Sequence, residues 1–225
     1  MMNKKNIVFM IGSLIGGGAE KMVLLIAKEL AKNNEIHLIL HDPCSKAYPI
    51  PNSINTHYLS QKSHLSKFNL INRIKFISRC KKTLKNIENK FGEIDAIFAN
   101  LIGSERIIRH CSGYNRFYVL HSNYTAEQRG RTKYKRRMDL ARRIYNGSKL
   151  ITVSDGIKYD ILHNLKAAPA SITTIYNGLN ISAIQQLANE PDKNIPEQPY
   201  IICAARASKE KRLDLFSLSN ETELF

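Results

Sequence analysis

Six short apolar runs, each followed by a longer stretch of polar or helical character, constrain the fold of this 225-residue chain more than any other feature. The runs are Ile7–Ile11, Ile36–Leu40, Ile94–Ala99, Phe117–Leu120, Leu150–Val153 and Ile172–Tyr176. Helical periodicity places helices near residues 19–32, 68–90, 103–111, 126–146 and 154–165. Strands joined by helical crossovers run parallel, and a parallel sheet is stable only when helices cover its faces. The expectation is therefore an α/β fold: a parallel sheet with helices on both faces.

In such a sheet ligands sit beyond the carboxyl ends of the strands. The residues that directly follow the runs are small or polar: Ser13 with Gly16–Gly18, His41-Asp42, Asn100, His121-Ser122-Asn123, Ser154-Asp155 and Asn177-Gly178. Each also has a local structural explanation. Ser154 or Asp155 suits a helix N-cap, and Asn177-Gly178 suits a turn. Their recurrence along one sheet edge makes that edge the candidate site.

The glycine turn Gly16-Gly17-Gly18 precedes the first helix, where backbone N–H groups and the helix dipole favour an anion. Its spacing departs from Gly-x-Gly-x-x-Gly, and no Gly-Lys-Ser/Thr follows. A dinucleotide fingerprint and a P-loop are both excluded on that ground. A tight turn without a ligand is the competing explanation.

A formal net charge of +15, from 34 Lys+Arg against 19 Asp+Glu, favours polyanionic or phosphorylated partners without choosing among them. Cysteines 44, 80, 111 and 203 lie far apart without metal-ligand spacing, so they read as free thiols in a reducing, cytoplasmic setting. Lys4-Lys5 followed by Ile7–Ile15 has the layout of a secretory signal. Gly12 interrupts that apolar run, however, and the next helix needs the first strand as a packing partner. No run of eighteen apolar residues occurs, so no membrane span is expected.

After a short helical pattern at Ile181–Ala188, the polar, proline-rich segment 189–199 reads as a linker. A strand is expected at Tyr200–Ala204, then a helix start. The expected organisation is a first domain at 1–188, the linker, and the beginning of a second domain at 200–225.

Four segments together resemble the family 4 retaining glycosyltransferases, which have two Rossmann-like domains in the GT-B arrangement. They are Gly16-Gly17-Gly18-Ala19-Glu20, Leu150-Ile151-Thr152-Val153-Ser154, Ile175-Tyr176-Asn177-Gly178-Leu179-Asn180, and Arg206 to Lys211, an Arg-x-x-x-x-Lys. The resemblance implies a Rossmann-like N-terminal domain carrying the acceptor side of a cleft. It implies that Arg206 and Lys211 hold the diphosphate of a nucleotide-sugar donor in place of a metal, with no cofactor needed. A guanidinium fork and an ammonium point charge suit a leaving diphosphate. It further implies that His121 stands beside the transferred sugar as a positioning group, with Gly16, Gly17, Gly18, Ser154 and Asn177 along the cleft.

The chain departs from the family pattern in three places. The glycine usually before the motif arginine is Ala205, and the one usually after the lysine is Arg212. The Glu-x7-Glu pattern of the second domain has no counterpart in Arg212–Phe225. The end of the chain, Phe216–Phe225, does not continue the family's helix. The sequence expectation is thus a truncated chain, not a competent transferase by itself.

Basic residues concentrate in Lys62–Lys90 and Arg129–Arg143. As amphipathic helices these suit an anionic leaflet at the inner face of the cytoplasmic membrane, and hence a lipid-linked acceptor of lipopolysaccharide or other cell-surface polysaccharide synthesis. Solvated helix faces explain them equally well. Two other function classes remain. A nucleotide-dependent oxidoreductase would use Asp42 as its ribose partner, but the glycine spacing opposes it. A nucleic-acid binder would use the basic helices, but aromatic residues do not interleave with the charges, so no nucleic acid is expected.

Overall fold

A computed structural model describes residues 4–41, 43, 48–60, 70–190, 202–205 and 213, with backbone alone for 70–73. The chain divides into two compact units, Met1–Gly178 and Leu179–Phe225.

The first unit contains β1 (Asn6–Ile11), α1 (Gly18–Leu30), β2 (Glu35–Leu40), β3 (Asn55–Tyr58), α2 (Leu70–Phe91), β4 (Ala96–Asn100), α3 (Leu101–Ile108) and β5 (Arg116–Leu120). It continues with α4 (Tyr124–Gln128), α5 (Tyr134–Tyr145), β6 (Lys149–Thr152), α6 (Asp155–Tyr159), a wide π turn at Asp160–Asn164, and β7 (Ser171–Thr174). The strands form one sheet in the order β3-β2-β1-β4-β5-β6-β7. Every pairing is parallel; Ile7, for example, stands between Ile36 and Ala96. The order reverses at β1, where the chain first builds outward through β2 and β3 and then returns to start β4. That reversal opens a crevice above the carboxyl ends of β1 and β4.

Alternation along the strands sends side chains to two cores. On one face Val8, Met10, Ile39, Ile97, Ala99, Leu120 and Leu150 pack with Phe76, Leu84 and Ile87 of α2, Ile107 of α3, and Met138 and Ile144 of α5. On the other face Phe9, Ile11, Ile36, Leu38 and Leu40 pack with Val23, Leu24 and Ala27 of α1. On that second face Phe9, Phe98 and Phe117 stack in a row across β1, β4 and β5, with ring centroids 5.3 and 5.2 Å apart. Each fully buried aliphatic side chain contributes about 1.5–3 kcal/mol, so the two cores account for the sheet's hold on its helices.

The sequence reading needs correction at four places. Strand β3 carries Asn-Thr-His-Tyr, with no apolar run to announce it, because it is an edge strand held by β2 alone. The helix expected at 126–146 is two helices, broken where Gly130 and Lys133 take left-handed backbone (φ 74° and 62°). The helix expected at 154–165 ends its α geometry at Tyr159 and widens into the π turn. Of the strand expected at Tyr200–Ala204, residues 202–204 are described and are not in a strand.

The second unit contains α7 (Ile181–Ala188), whose N-cap Asn180 accepts from the Ala183 N–H at 3.0 Å. The structural division at 178/179 assigns this helix to the second unit, whereas the sequence reading grouped it with the first. Residues 191–199 of the expected linker lie outside the described residues.

Candidate functional site at the carboxyl edge of the sheet

The site is built from the segments leaving β1, β2, β4 and β5. Asn100 ends β4 and is buried. Its side-chain nitrogen donates to the carbonyl of Met10 at 3.4 Å and to that of Phe98 at 3.1 Å. Two carbonyl acceptors identify that atom as nitrogen, so the amide oxygen is the one facing His121, 2.9 Å from Nε2. Nε2 therefore carries a proton and donates. Nδ1 is left with its lone pair, an acceptor.

Burial lowers the pKa of His121 from its ordinary value to about 4. The ring is neutral at physiological pH and can accept a hydrogen bond from a hydroxyl. The segment after it is anchored from below. Asn123 caps α4 by accepting from the Ala126 N–H at 3.0 Å. The Thr125 N–H donates to the fully buried Asp160 carboxylate at 3.1 Å, and the Thr125 hydroxyl donates to it as well. Asn164 completes the set at 2.9 Å, so the π turn presents its aspartate to α4. Wide turns of this kind are common beside functional sites.

Leu101, directly after Asn100, has φ 66°, the left-handed region that a leucine adopts only at a cost of about 1–3 kcal/mol. Its side chain is exposed at the same edge. Next to it, His41 extends the ladder by donating its N–H to the Gly12 carbonyl at 3.0 Å. Its Nε2 lies 3.2 Å from the Ser104 hydroxyl. Gly12 and Gly103 lie against the imidazole, and a Cβ on Gly103 would come within 3.4 Å of it.

In the glycine turn the three residues differ. Gly16 has φ 115°, which a side chain would strain. Gly17 is the N-cap of α1, and a Cβ on it would collide with the Glu20 carboxylate. Gly18 has open space where a Cβ would stand. The Glu20 carboxylate thus folds back over the N-terminus of its own helix, where an anion is electrostatically favoured. That position, read from sequence as open to a phosphate, already faces an acid.

Of the residues singled out from sequence, His121 and the turn Gly16–Gly18 lie at the carboxyl ends of β5 and β1, which flank β4. Adjacent strands are about 4.8 Å apart, so the two strand ends are separated by about 10 Å. Ser154 caps α6, its hydroxyl accepting from the Ile157 N–H at 3.3 Å. Asn177 is exposed beyond β7. Arg206, Lys211 and Asp42 lie outside the described residues. Asn100 stood among the strand-end residues without a role; only the folded pairing with His121 supplies one. Among the described residues no group of three His, Cys, Asp or Glu side chains could hold a metal ion.

Of the two basic stretches, residues 62–69 lie outside the described residues. Lys133, Lys135, Arg136, Arg137 and Arg143 are exposed on and just before α5, although Arg137 donates to Gln128 at 2.8 Å. No described helix is long and apolar enough to cross a membrane.

The family described as Glycosyltransferase Family 4 matches residues 16–183. A search of curated proteins gave no match. Among solved structures, Anabaena HepE in complex with UDP and glucose superposes with a TM-score of 0.54 at 18% identity, covering 82% of this chain and 50% of that one. Sucrose-phosphate synthase from Thermosynechococcus elongatus gives 0.57 at 16% identity, covering 84% and 53%. A glycosyltransferase from Rickettsia africae gives 0.52 at 15% identity, covering 99% and 51%. These likenesses establish the fold, the Rossmann-like N-terminal half of the GT-B architecture. The chain spans about half the length of the structures it matches.

Proposed function

The chain belongs to Glycosyltransferase Family 4, and from that premise we propose that its first unit is the acceptor-side wall of a cleft for transfer of a sugar from a nucleotide-sugar donor to a glycan or lipid-linked acceptor. The observation that carries this reading is the neutral His121, held by Asn100 at the carboxyl edge with its Nδ1 lone pair available. Such a group orients a sugar hydroxyl and has little tendency to carry charge. Orientation in near-attack geometry is what a group-transfer site most needs from a wall that does no proton chemistry itself.

The donor would be presented from the opposite side of the cleft. HepE and its UDP-glucose complex are support for a nucleoside diphosphate sugar as the donor class. Arg206 and Lys211 would carry the diphosphate, neutralising the leaving group without a metal. The described residues supply one wall, and catalysis requires both reactants to be held at once. The exposed basic face of α5 supports a lipid-linked, cell-surface acceptor at an anionic membrane, where each basic residue near the lipid contributes about 1 kcal/mol.

Saturation-transfer NMR with saccharides, UDP- and GDP-sugars, and NADH tests the reading. Saccharide signals should respond in the wild-type chain and fade in His121→Ala, while NADH gives none. Binding of NADH with no response from any sugar would replace the proposal with an oxidoreductase.

A further inference from the structure

A second groove, of about 500 Å³, lies two strands away from β1 on the same sheet edge. One wall is the carboxyl end of β3, Tyr58-Leu59-Ser60; the other is the face of α2 carrying Arg79, Lys82, Thr83 and Asn86. Those four helix positions follow the spacing i, i+3, i+4, i+7, which brings them onto one stripe. The wall opposite is tied to the sheet. Leu59 continues the ladder through its N–H to the Leu40 carbonyl at 2.9 Å and is buried, as is Ser60.

Arg79 is pre-positioned within this groove. Its Nη1 donates to the Leu59 carbonyl at 2.9 Å, which fixes the guanidinium across the gap between helix and strand and leaves its other N–H groups to donate. Lys82 adds a second positive charge one turn along. Among the described residues no carboxylate lines the groove and none forms an ion pair with either cation. Thr83 and Asn86 extend the row with neutral hydrogen-bonding groups, and Tyr58 stands at the strand wall opposite them.

We propose that this groove binds the anionic group, phosphate or carboxylate, of an acidic acceptor saccharide. The fork of Arg79 and the ammonium of Lys82 take the anion, and Thr83 and Asn86 take neighbouring hydroxyls. The groove connects to the central site through α2, because Phe76, one turn before Arg79, lies against the His41 ring with centroids 5.6 Å apart. From β3 to β1 is about 10 Å, the reach of a short saccharide. An acceptor anchored here by its charge would extend its neutral end toward the cleft.

The role as an acceptor subsite rests on the transferase reading, but binding of the anion does not. The test is therefore a direct titration of the ¹⁵N-labelled chain with glucose 6-phosphate, glucuronate, glucose, and vesicles containing phosphatidylglycerol. The two acidic sugars should shift amides of residues 58–60 and 79–86, glucose should not, and added salt should weaken the effect. Arg79→Gln combined with Lys82→Gln, both on exposed positions, should raise the apparent Kd roughly ten-fold or more with an unchanged circular dichroism spectrum. Equal shifts with glucose, undiminished binding by the double variant, or binding of vesicles but neither acidic sugar overturns the proposal. Failure here leaves the His121 edge untouched, and loss of saccharide response at His121 leaves this groove untouched.

Discussion

His121 donates from Nε2 to the Oδ1 of Asn100 over 2.9 Å, and this bond fixes which ring nitrogen keeps its lone pair as an acceptor. Asn100 can hold the ring this way because its own amide nitrogen is committed to two strand carbonyls. The last residue of one strand therefore sets the tautomer of the residue after the next.

The first expectation concerns this pair. With its pKa lowered to about 4 by burial, His121 should remain neutral through mild acid. The folded state then binds fewer protons than the unfolded state, whose histidines titrate near 6.5. The stability contribution of His121 is complete above about 6.5 and is lost as pH falls toward 4. His37, also lowered to about 4, and His57, lowered by burial, act in the same direction. Asn100→Asp places a carboxylate against the ring and should move its titration upward by one unit or more, read from the imidazole C–H signals. Titration of wild-type His121 near 6.5 would contradict a buried ring held neutral through mild acid.

Glu105 responds to pH with the opposite sign. It is fully buried with its carboxyl near Tyr145, whose hydroxyl donates to it at 2.9 Å, and burial raises its pKa to about 8. Its stability contribution is present below about 4.5 and is lost progressively as pH rises through 8. Glu105→Gln keeps a neutral acceptor in place. It should be nearly neutral in stability at pH 4.5 and stabilising at pH 8.5, as measured by chemical denaturation at the two pH values.

Much of the fold is legible in the residues, and the exceptions have identifiable causes. Strands β1 and β2 are buried on both faces, and β4, β5 and β6 are buried on one face and half-buried on the other over much of their length, so each announces itself as an apolar run. The edge strand β3 does not, since only one neighbour pays for its order. In the site, His121 and Asn100 are both visible as residues after strands, but their bond joins positions 21 apart, a distance no periodicity encodes. The π turn is hidden for the same reason: Asp160 belongs to a helical pattern, and its meaning comes from Thr125.

That buried link gives a third expectation. Asp160→Ala leaves the Thr125 N–H and hydroxyl without their acceptor in a dry site, at a cost of about 2–4 kcal/mol. Hydrogen exchange should rise most in α4 and the segment after β5. Unaltered exchange there would remove Asp160 as the anchor of His121.

The glycine turn separates folding from function. Gly16→Ala should destabilise by about 1–2 kcal/mol because of its φ of 115°. Gly18→Ala meets no neighbour and should be neutral or stabilising by up to about 1 kcal/mol. A stabilised Gly18→Ala chain with weakened ligand response would assign that glycine to close approach of a ligand to the backbone.

The proposed function requires that the carboxyl edge around His121 face the sugar. ¹H–¹⁵N correlation spectra of the chain, titrated with neutral saccharides together with UDP- and GDP-sugars, test it most directly. Shifts should concentrate at Gly16–Gly18, Asn100–Leu101 and His121, with none at Lys5, Asn6 or Asp95 on the opposite edge. Shifts confined to that opposite edge, or no shift with any sugar, would contradict it.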